Sequence, residues 1–252
     1  MIREYLYLSA LNTEYFGRRY FFEDTLSSTN DFLLENKTIV GDLAVADFQE
    51  AGRGRSGRSW FSYEGGLAFS LVLPCIAPSA LMPLNIIVGY SVANALKKYA
   101  PVKLKWPNDC VIEGHKVCGT LIDARFKGSN LEKVVLGIGI NIFETNFSNN
   151  KAIKGDYLSK WYKGELSREQ IMAETVNELE KSMKLFFADK INIVSLWPLY
   201  SANINSDISV HINDKVIKLR EVGIDKDGSL IASDGDKTIT VTSGEIGYDF
   251  GN

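Results

Sequence analysis

The chain is poor in the residues that hold disulfide-rich or metal-bound domains together. Its 252 residues include only three cysteines and two histidines. Cys75, Cys110 and Cys118 show no CxxC spacing, and their odd number argues against a disulfide framework. His115 and His211 lie far apart, so the sequence does not predict a structural zinc site.

The chain also lacks a strong charge of one sign and a long hydrophobic run. Twenty-eight basic residues against thirty-one acidic ones give a net charge of −3, so the overall charge attracts neither nucleic acid nor an anionic membrane. No apolar run approaches the roughly 18 residues of a membrane span, and the first residues do not resemble a signal peptide. We therefore expect a cytoplasmic protein without a nucleic-acid or membrane partner.

The hydrophobic residues, 45% of the chain, follow periodic patterns. Helical periodicity marks residues 79–99 and, after the capping box of Ser167 and Gln170, a second helix near residues 168–186. A shorter helix is predicted after Ser28 and Thr29. Apolar or alternating runs predict strands at 43–48, 66–73, 102–106, 116–125 and 133–142.

The pattern changes beyond Trp197. From Asp207 onward, short alternating runs are separated by turn signals at Asn213-Asp214, Asp227-Gly228 and Asp234-Gly235. We therefore predict an α+β domain over residues 1–204, followed by a small all-β unit over residues 205–252.

The segment GRGRSGRSW, residues 52–60, is the strongest functional signal. Glycines allow close approach of the backbone to a ligand, and arginines present paired donors to phosphate and carboxylate oxygens. It is neither a P-loop nor a dinucleotide fingerprint. A mobile basic surface loop is the alternative, and the glycines at 52, 54 and 57 predict disorder before a ligand is bound.

Further polar segments interrupt the pattern where strands end or helices begin, and such places often hold sites. They are SSTN (27–30), KWPND (105–109), HKVCGTLID (115–123) and GIGIN (137–141). Each has a plainer interpretation: SSTN as a helix cap, Asp109 as a turn residue, Lys116 as a solvated turn lysine and Trp60 as a core residue.

In their order and spacing, GRGRSGRSW, KWPND, the Lys116 to Gly119 step and GIGIN resemble the biotin protein ligases over nearly the whole chain from Asp24. The resemblance implies a class II synthetase-like domain, with a central mixed sheet flanked by helices, and a C-terminal SH3-like β-barrel. Some members carry an N-terminal DNA-binding domain of three helices, which need about 35 residues. Only 27 residues precede Ser28, so we expect a ligase of the short form without repressor activity.

The resemblance also implies a two-step reaction with ATP, biotin and Mg²⁺. Biotin would be activated to biotinyl-5′-AMP and then joined to a lysine of the biotin carboxyl carrier protein of a carboxylase such as acetyl-CoA carboxylase. A homodimer is compatible with it, and the sequence leaves the oligomeric state open. Two alternatives remain: a lipoate or octanoate ligase of the same fold, and a non-catalytic biotin sensor.

Site residues follow from the resemblance, position by position. The implied catalytic residues are Arg55, Lys116 and Asp109, and Asp109 is also the candidate Mg²⁺ ligand. Biotin is placed against Ser28, Thr29, Asn30, Gln49, Gly52, Arg53, Gly54, Arg55, Lys116, Gly119 and Gly137. The nucleotide is placed against Arg53, Arg55, Trp60, Asn108, Lys116 and Asn141. We expect Gly119, Gly137 and Gly139 to let the main chain come close to the ligands.

Overall fold

A computed structural model describes residues 2–144, 155–212 and 215–247, and a seven-stranded sheet forms its centre. The strands are β1 (Tyr20–Leu26), β2 (Leu43–Gln49), β3 (Gly66–Leu73), β4 (Lys103–Lys105), β5 (Asp109–Ile112), β6 (His115–Lys127) and β7 (Asn130–Asn141). They lie in the order β1-β2-β3-β7-β6-β5-β4. The sheet is mixed because β1 and β2 run parallel while the other neighbouring pairs are antiparallel.

Helices cover both faces of this sheet, as the α+β prediction requires. They are α1 (Glu4–Ala10), α2 (Thr29–Glu35), α3 (Leu81–Leu96), α4 (Leu158–Trp161), α5 (Arg168–Phe187) and α6 (Ile193–Tyr200). The two predicted caps are present: the Ser28 hydroxyl accepts from the Asp31 amide and the Ser167 hydroxyl from the Gln170 amide. Both helices therefore begin where the sequence predicts.

Alternation along the strands separates the two faces. In β3, Leu67, Phe69 and Leu71 belong to the large core that also includes the buried residues of α3 and α5. Val72 instead packs with Leu33 of α2 in a second, smaller core. Because successive side chains point to opposite faces, α2 lies on one face and the α3–α5 layer on the other.

The helix α3 corrects the expectation that no apolar run approaches the length of a membrane span. Together with the preceding 3₁₀ turn it gives an apolar stretch, Pro78–Leu96, of 19 residues, long enough by length and composition to cross a membrane. Most of that stretch (61%) is buried inside the protein. The helix packs against α5, α6 and the sheet, so its apolar composition is explained by burial on nearly all sides rather than by one amphipathic face.

Residues 2–26 include α1 and the edge strand β1. The connection between them is held by Glu180 of α5, whose carboxylate accepts from the amides of Glu14, Tyr15 and Phe16. Burial raises the pKa of Glu180, but these three hydrogen bonds and Lys184 outweigh it and lower the value to about 2. An ionised glutamate thus fixes the N-terminal segment on α5.

A second, antiparallel sheet follows α6. It consists of β8 (Asp207–Ile212), β9 (Lys215–Ile224), β10 (Leu230–Ser233), β11 (Thr238–Val241) and β12 (Glu245–Ile246), in the order β11-β10-β9-β8-β12. This agrees with the predicted SH3-like unit. Gly228 and Gly235 have positive φ at two of the predicted turns, whereas Asn213-Asp214 lies outside the described residues. The boundary at 204/205 stays a prediction.

The two sheets are joined through buried polar contacts. The Trp106 indole N–H donates to the Gly228 carbonyl at 3.0 Å, and the Trp197 indole N–H donates to Glu221 at 2.8 Å. The Lys105 ammonium donates to the Ile246 carbonyl at 2.5 Å. Trp106 and Lys105 belong to KWPND, so this motif supports the C-terminal sheet as well as the candidate site.

Candidate active site

A cavity of about 500 Å³ opens on the face of the large sheet that carries α2. It lies where the N-terminus of α2, the GRGRSGRSW loop, KWPND, β6, β7 and β12 meet. Every predicted site residue except Gly52 lines it: Ser28, Thr29, Asn30, Gln49, Arg53, Gly54, Arg55, Trp60, Asn108, Asp109, Lys116, Gly119, Gly137 and Asn141. Gly52 is buried behind the loop, where its carbonyl accepts from the Trp60 amide.

The floor of the cavity is a row of small residues on three adjacent strands. Gly119 of β6, Gly139 of β7 and Ala68 of β3 are cross-strand partners. The Trp60 indole lies on this row, and a β-carbon on Gly139 would overlap its ring. Trp60 is half-buried and faces the cavity, so it is not the plain core residue that the sequence left open.

Neutral polar groups form one end of the cavity. Gln49 Oε1 accepts from the Thr29 amide at 2.8 Å and lies 3.0 Å from the Thr29 hydroxyl. That hydroxyl is 2.6 Å from the Ser70 hydroxyl, which is 2.5 Å from Asn30 Oδ1. These three oxygen–oxygen contacts share only two hydroxyl hydrogens, so this part of the cluster is one donor short.

Carboxylates outside the predicted set hold Arg53. Its Nη2 donates to Asp123 at 2.9 Å and to Asp31 at 2.5 Å. The same Asp123 oxygen accepts from Asn30 Nδ2 at 2.6 Å. Asp123 therefore joins the glycine-arginine loop to the polar end of the cavity.

Cationic groups form the opposite end. Arg55 Nη1 lies 3.4 Å from Asn108 Oδ1, and burial lowers the pKa of Arg55 against the attraction of Glu245 and Asp109. The Lys116 ammonium lies 2.5 Å from Asp109, which is also 3.8 Å from the Lys105 ammonium. The cations at this end are Arg55, Arg58, Lys105 and Lys116, and the carboxylates are Asp109 and Glu245. Four cations against two carboxylates leave an excess of positive charge for an anion.

Lys105 is the most buried of these cations. Only 3% of its surface is exposed, and burial lowers its pKa to about 8. Its contact with the Ile246 carbonyl explains why a lysine is held there, because a buried ammonium needs hydrogen-bond acceptors.

The C-terminal sheet completes the cavity wall. Arg58 of the loop forms a two-point ion pair with Glu245 of β12, with one contact at 3.1 Å. Glu245 and His211 are cross-strand partners, and both line the cavity together with Gly247. The all-β unit therefore contributes directly to the site.

Several lining or supporting residues are not among the predicted site residues. They are Asp31, Arg58, Ser59, Phe61, Ser70, Thr120, Leu121, Asp123, His211, Glu245 and Gly247. Thr120, Leu121 and Asp123 lie within the predicted polar segment 115–123, where the sequence assigned them no role. Arg58 could have been found, since it stands in the quoted loop. Asp123 and Ser70 sit inside regular strands, and only strand register brings them to the cavity.

The described residues contain no group of three or more His, Cys, Asp or Glu side chains arranged to hold a metal ion. Asp109, the predicted Mg²⁺ ligand, lies 2.5 Å from the Lys116 ammonium, and its role as a ligand stays a prediction. The side chains do not fit a metal site built by the protein alone.

The sequence and the fold are similar to those of known proteins. Residues 21–141 match the biotin/lipoate A/B protein ligase family. The chain is 30% identical to the bifunctional ligase/repressor BirA of Escherichia coli over 213 residues, which are 82% of this chain and 66% of that protein. It is 36% identical to the biotin–[acetyl-CoA-carboxylase] ligase of Paracoccus denitrificans over 103 residues, 39% of this chain and 43% of that protein.

Among solved structures, the fold resembles a biotin protein ligase from Aquifex aeolicus in complex with biotin and ATP. The TM-score is 0.78 at 25% identity, with 91% of this chain and 97% of the other covered. With its mixed sheet, small C-terminal sheet and matching motifs, the chain belongs to the biotin/lipoate A/B protein ligase family.

Proposed function

We propose that the chain is an ATP-dependent biotin protein ligase. It would activate biotin to biotinyl-5′-AMP and transfer the biotin to a lysine of a biotin carboxyl carrier protein. The observation that carries the proposal is the polarity of one cavity, which has neutral hydroxyl and amide groups at one end and an excess of cations at the other. Such a cavity fits an acid with a neutral polar head and a carboxylate tail.

The neutral end suits the ureido ring of biotin. A ureido group offers two N–H donors and one carbonyl acceptor. In the cluster of Gln49, Thr29, Ser70 and Asn30 the acceptor oxygens outnumber the hydroxyl hydrogens, so the cluster can accept hydrogen bonds from ligand N–H groups. The thiolane ring and alkyl chain would then lie along the floor of small residues.

The cationic end suits the activation step. The biotin carboxylate and the α-phosphate of ATP repel each other, so a catalyst must neutralise both and align them. In our proposal Arg55 and Lys116 supply this positive charge. A carboxylate oxygen attacks the α-phosphorus, the bond to the bridging oxygen breaks, and pyrophosphate leaves with that bond's electron pair. Trp60 offers a flat face for adenine beside this point.

The transfer step uses the same end of the cavity. The carrier lysine, as a neutral amine, attacks the carbonyl carbon of the mixed anhydride, and AMP leaves as the amide forms and the amine loses a proton. Asp109 is the carboxylate nearest to Lys116 and would meet the incoming amine. In our proposal it orients that amine.

Support for this substrate comes from the relatives. The Aquifex aeolicus protein was solved with biotin and ATP, and the Paracoccus denitrificans relative is named for acetyl-CoA carboxylase. A biotin-dependent carboxylase is therefore the proposed source of the carrier protein.

One experiment separates this proposal from its alternatives. Purified protein is incubated with MgATP, labelled biotin or labelled lipoate, and an apo carrier domain whose acceptor lysine is either present or replaced by arginine. We expect label to be transferred from biotin only, and only to the lysine form. Transfer from lipoate would favour the lipoate ligase. Biotin binding without ATP–pyrophosphate exchange would favour a sensor.

A further inference from the structure

We propose that Lys133, a buried lysine of β7 outside the cavity, is a positioning residue for the ligand-binding end of α2. The inference rests on the proposed function, because α2 carries Thr29 and Asn30 at its N-terminus. Lys133 is 8% exposed and does not line the cavity. It would act on substrate binding only through the helix.

The contacts of Lys133 all lie at the C-terminal end of α2. Its ammonium donates to the carbonyls of Leu33 at 2.9 Å and Asn36 at 2.8 Å and to the Thr38 hydroxyl at 2.9 Å, and it lies 3.3 Å from the Leu34 carbonyl. The three short contacts use all three N–H donors. The last carbonyls of a helix have no partner within the helix, so one side chain here satisfies several of them.

A lysine is unusual at this position because the acceptors are neutral. Burial lowers its pKa, and nearby Arg125 lowers it further. The favourable interaction of a cation with the C-terminal end of a helix dipole offsets part of that cost. An apolar residue of the same length could fill the space, but the Asn36 carbonyl would lose this donor. The Leu33 and Leu34 carbonyls would keep their contacts with the Thr38 hydroxyl and with Arg125.

The face of β7 that carries Lys133 contacts α2 along its length. Lys133, Val135 and Gly137 alternate on this face, as a strand requires. Val135 packs with Leu33 in the smaller core, and a β-carbon on Gly137 would overlap the Asn30 side chain. The strand therefore fixes α2 at its C-terminus, its middle and its N-terminus.

This arrangement explains how a residue outside the cavity affects the site. A helix of seven residues is about 10 Å long and behaves as a rigid rod on this scale. Releasing its C-terminal end lets it tilt or slide on β7, and Thr29 and Asn30 move with it. A misplacement of about 1 Å can cost about a hundredfold in rate when the displaced groups react. Thr29 and Asn30 are proposed to bind biotin rather than to react, so we expect their displacement to lower the affinity for biotin.

The test compares Lys133→Met with a control that loses stability elsewhere. Val176→Ala opens a small space in α5, far from α2, and lowers stability without touching the site. By titration calorimetry we expect Lys133→Met to raise the biotin dissociation constant about tenfold or more. The KM for ATP and the kcat at saturating biotin should stay within about threefold, and Val176→Ala should leave all three unchanged.

Hydrogen exchange of the ligand-free protein provides a second measurement that does not depend on the proposed ligase activity. Amides of residues 29–35 should exchange faster in Lys133→Met than in Val176→Ala when each variant is measured equally far below its own melting temperature. Wild-type biotin affinity, or unchanged exchange in α2, would overturn the proposal. If the wild type neither binds nor activates biotin, the proposed function fails, while the exchange measurement still decides whether Lys133 orders α2.

A second variant covers the case in which Lys133→Met does not fold. Lys133→Arg keeps the charge and the donors on a longer side chain, so it should fold but displace the end of α2. A rise in the biotin dissociation constant of at least threefold is expected, and an unchanged value in a folded protein would contradict the positioning role.

Discussion

The Trp60 indole lies over Gly139 of β7, in a space that the β-carbon of any other residue would occupy. Gly119, the cross-strand partner of Gly139, leaves room for the Lys116 side chain. A β-carbon on Gly119 would lie 2.8 Å from that side chain. The two glycines thus determine where the ring and the lysine can lie.

Gly139→Ala should therefore displace Trp60 and weaken nucleotide binding. Stacking of a base on an aromatic ring contributes about 1–3 kcal/mol, so we expect the KM for ATP to rise about tenfold. Gly223→Ala is the matched control, because nothing lies within 4 Å of the added carbon there. A KM for ATP that is the same in both variants would show that Trp60 does not bind the nucleotide.

Arg55→Ala should leave the fold intact and allow the adenylate to escape. A hydrogen bond to a charged group contributes about 1.5–3 kcal/mol, which corresponds to release of biotinyl-5′-AMP about tenfold or more faster. The measurement is the amount of adenylate retained by the protein after ATP and biotin are mixed without a carrier. Arg220→Ala, an exposed arginine of the C-terminal sheet, should retain the intermediate as the wild type does.

Asp123→Asn tests the connection between the loop and the polar end of the cavity. It weakens the contacts to Asn30 and Arg53 together, so the KM for biotin should rise about five- to tenfold. Asp31→Asn removes charge only from the second contact of Arg53 and should have a smaller effect. Equal effects of the two variants would mean that the bond to Asn30 has no role.

Glu221→Gln should stabilise the protein in a pH-dependent way. Glu221 of β9 is fully buried against α6, and burial raises its pKa above the ordinary 4.5, against hydrogen bonds from Ser201 and Trp197. The unfolded state therefore ionises first, and wild-type stability falls as pH rises from about 4.5 through the raised value. Glutamine does not ionise and avoids this loss.

The check is urea unfolding of both proteins at pH 4 and pH 7. The difference in unfolding free energy should shift in favour of Glu221→Gln at pH 7. Glu23→Gln, at an exposed position of β1, should show no such shift. If the difference in unfolding free energy between the two proteins were the same at both pH values, ionisation of Glu221 would not destabilise the folded protein.

Much of the fold could be predicted because local patterns and tertiary packing agree. The caps at Ser28 and Ser167 and the strand at 66–73 occur as predicted. The predicted strand at 102–106 is shorter, because Pro107 and the following turn lead directly into β5, which the sequence analysis missed. In α3 the apolar residues are not confined to one face of the helix, because the helix is covered by other elements on several sides.

The sequence by itself determined the alternation of helices and strands, the change to an all-β unit and the chemical groups of the site. Those properties depend on local periodicity and on residue type. Strand register decided that Ser70 and Asp123 reach the cavity, that Gly119 and Gly139 make room for Trp60, and that Lys133 lies against the end of α2. Such relationships join residues tens of positions apart, so only the tertiary structure specifies them.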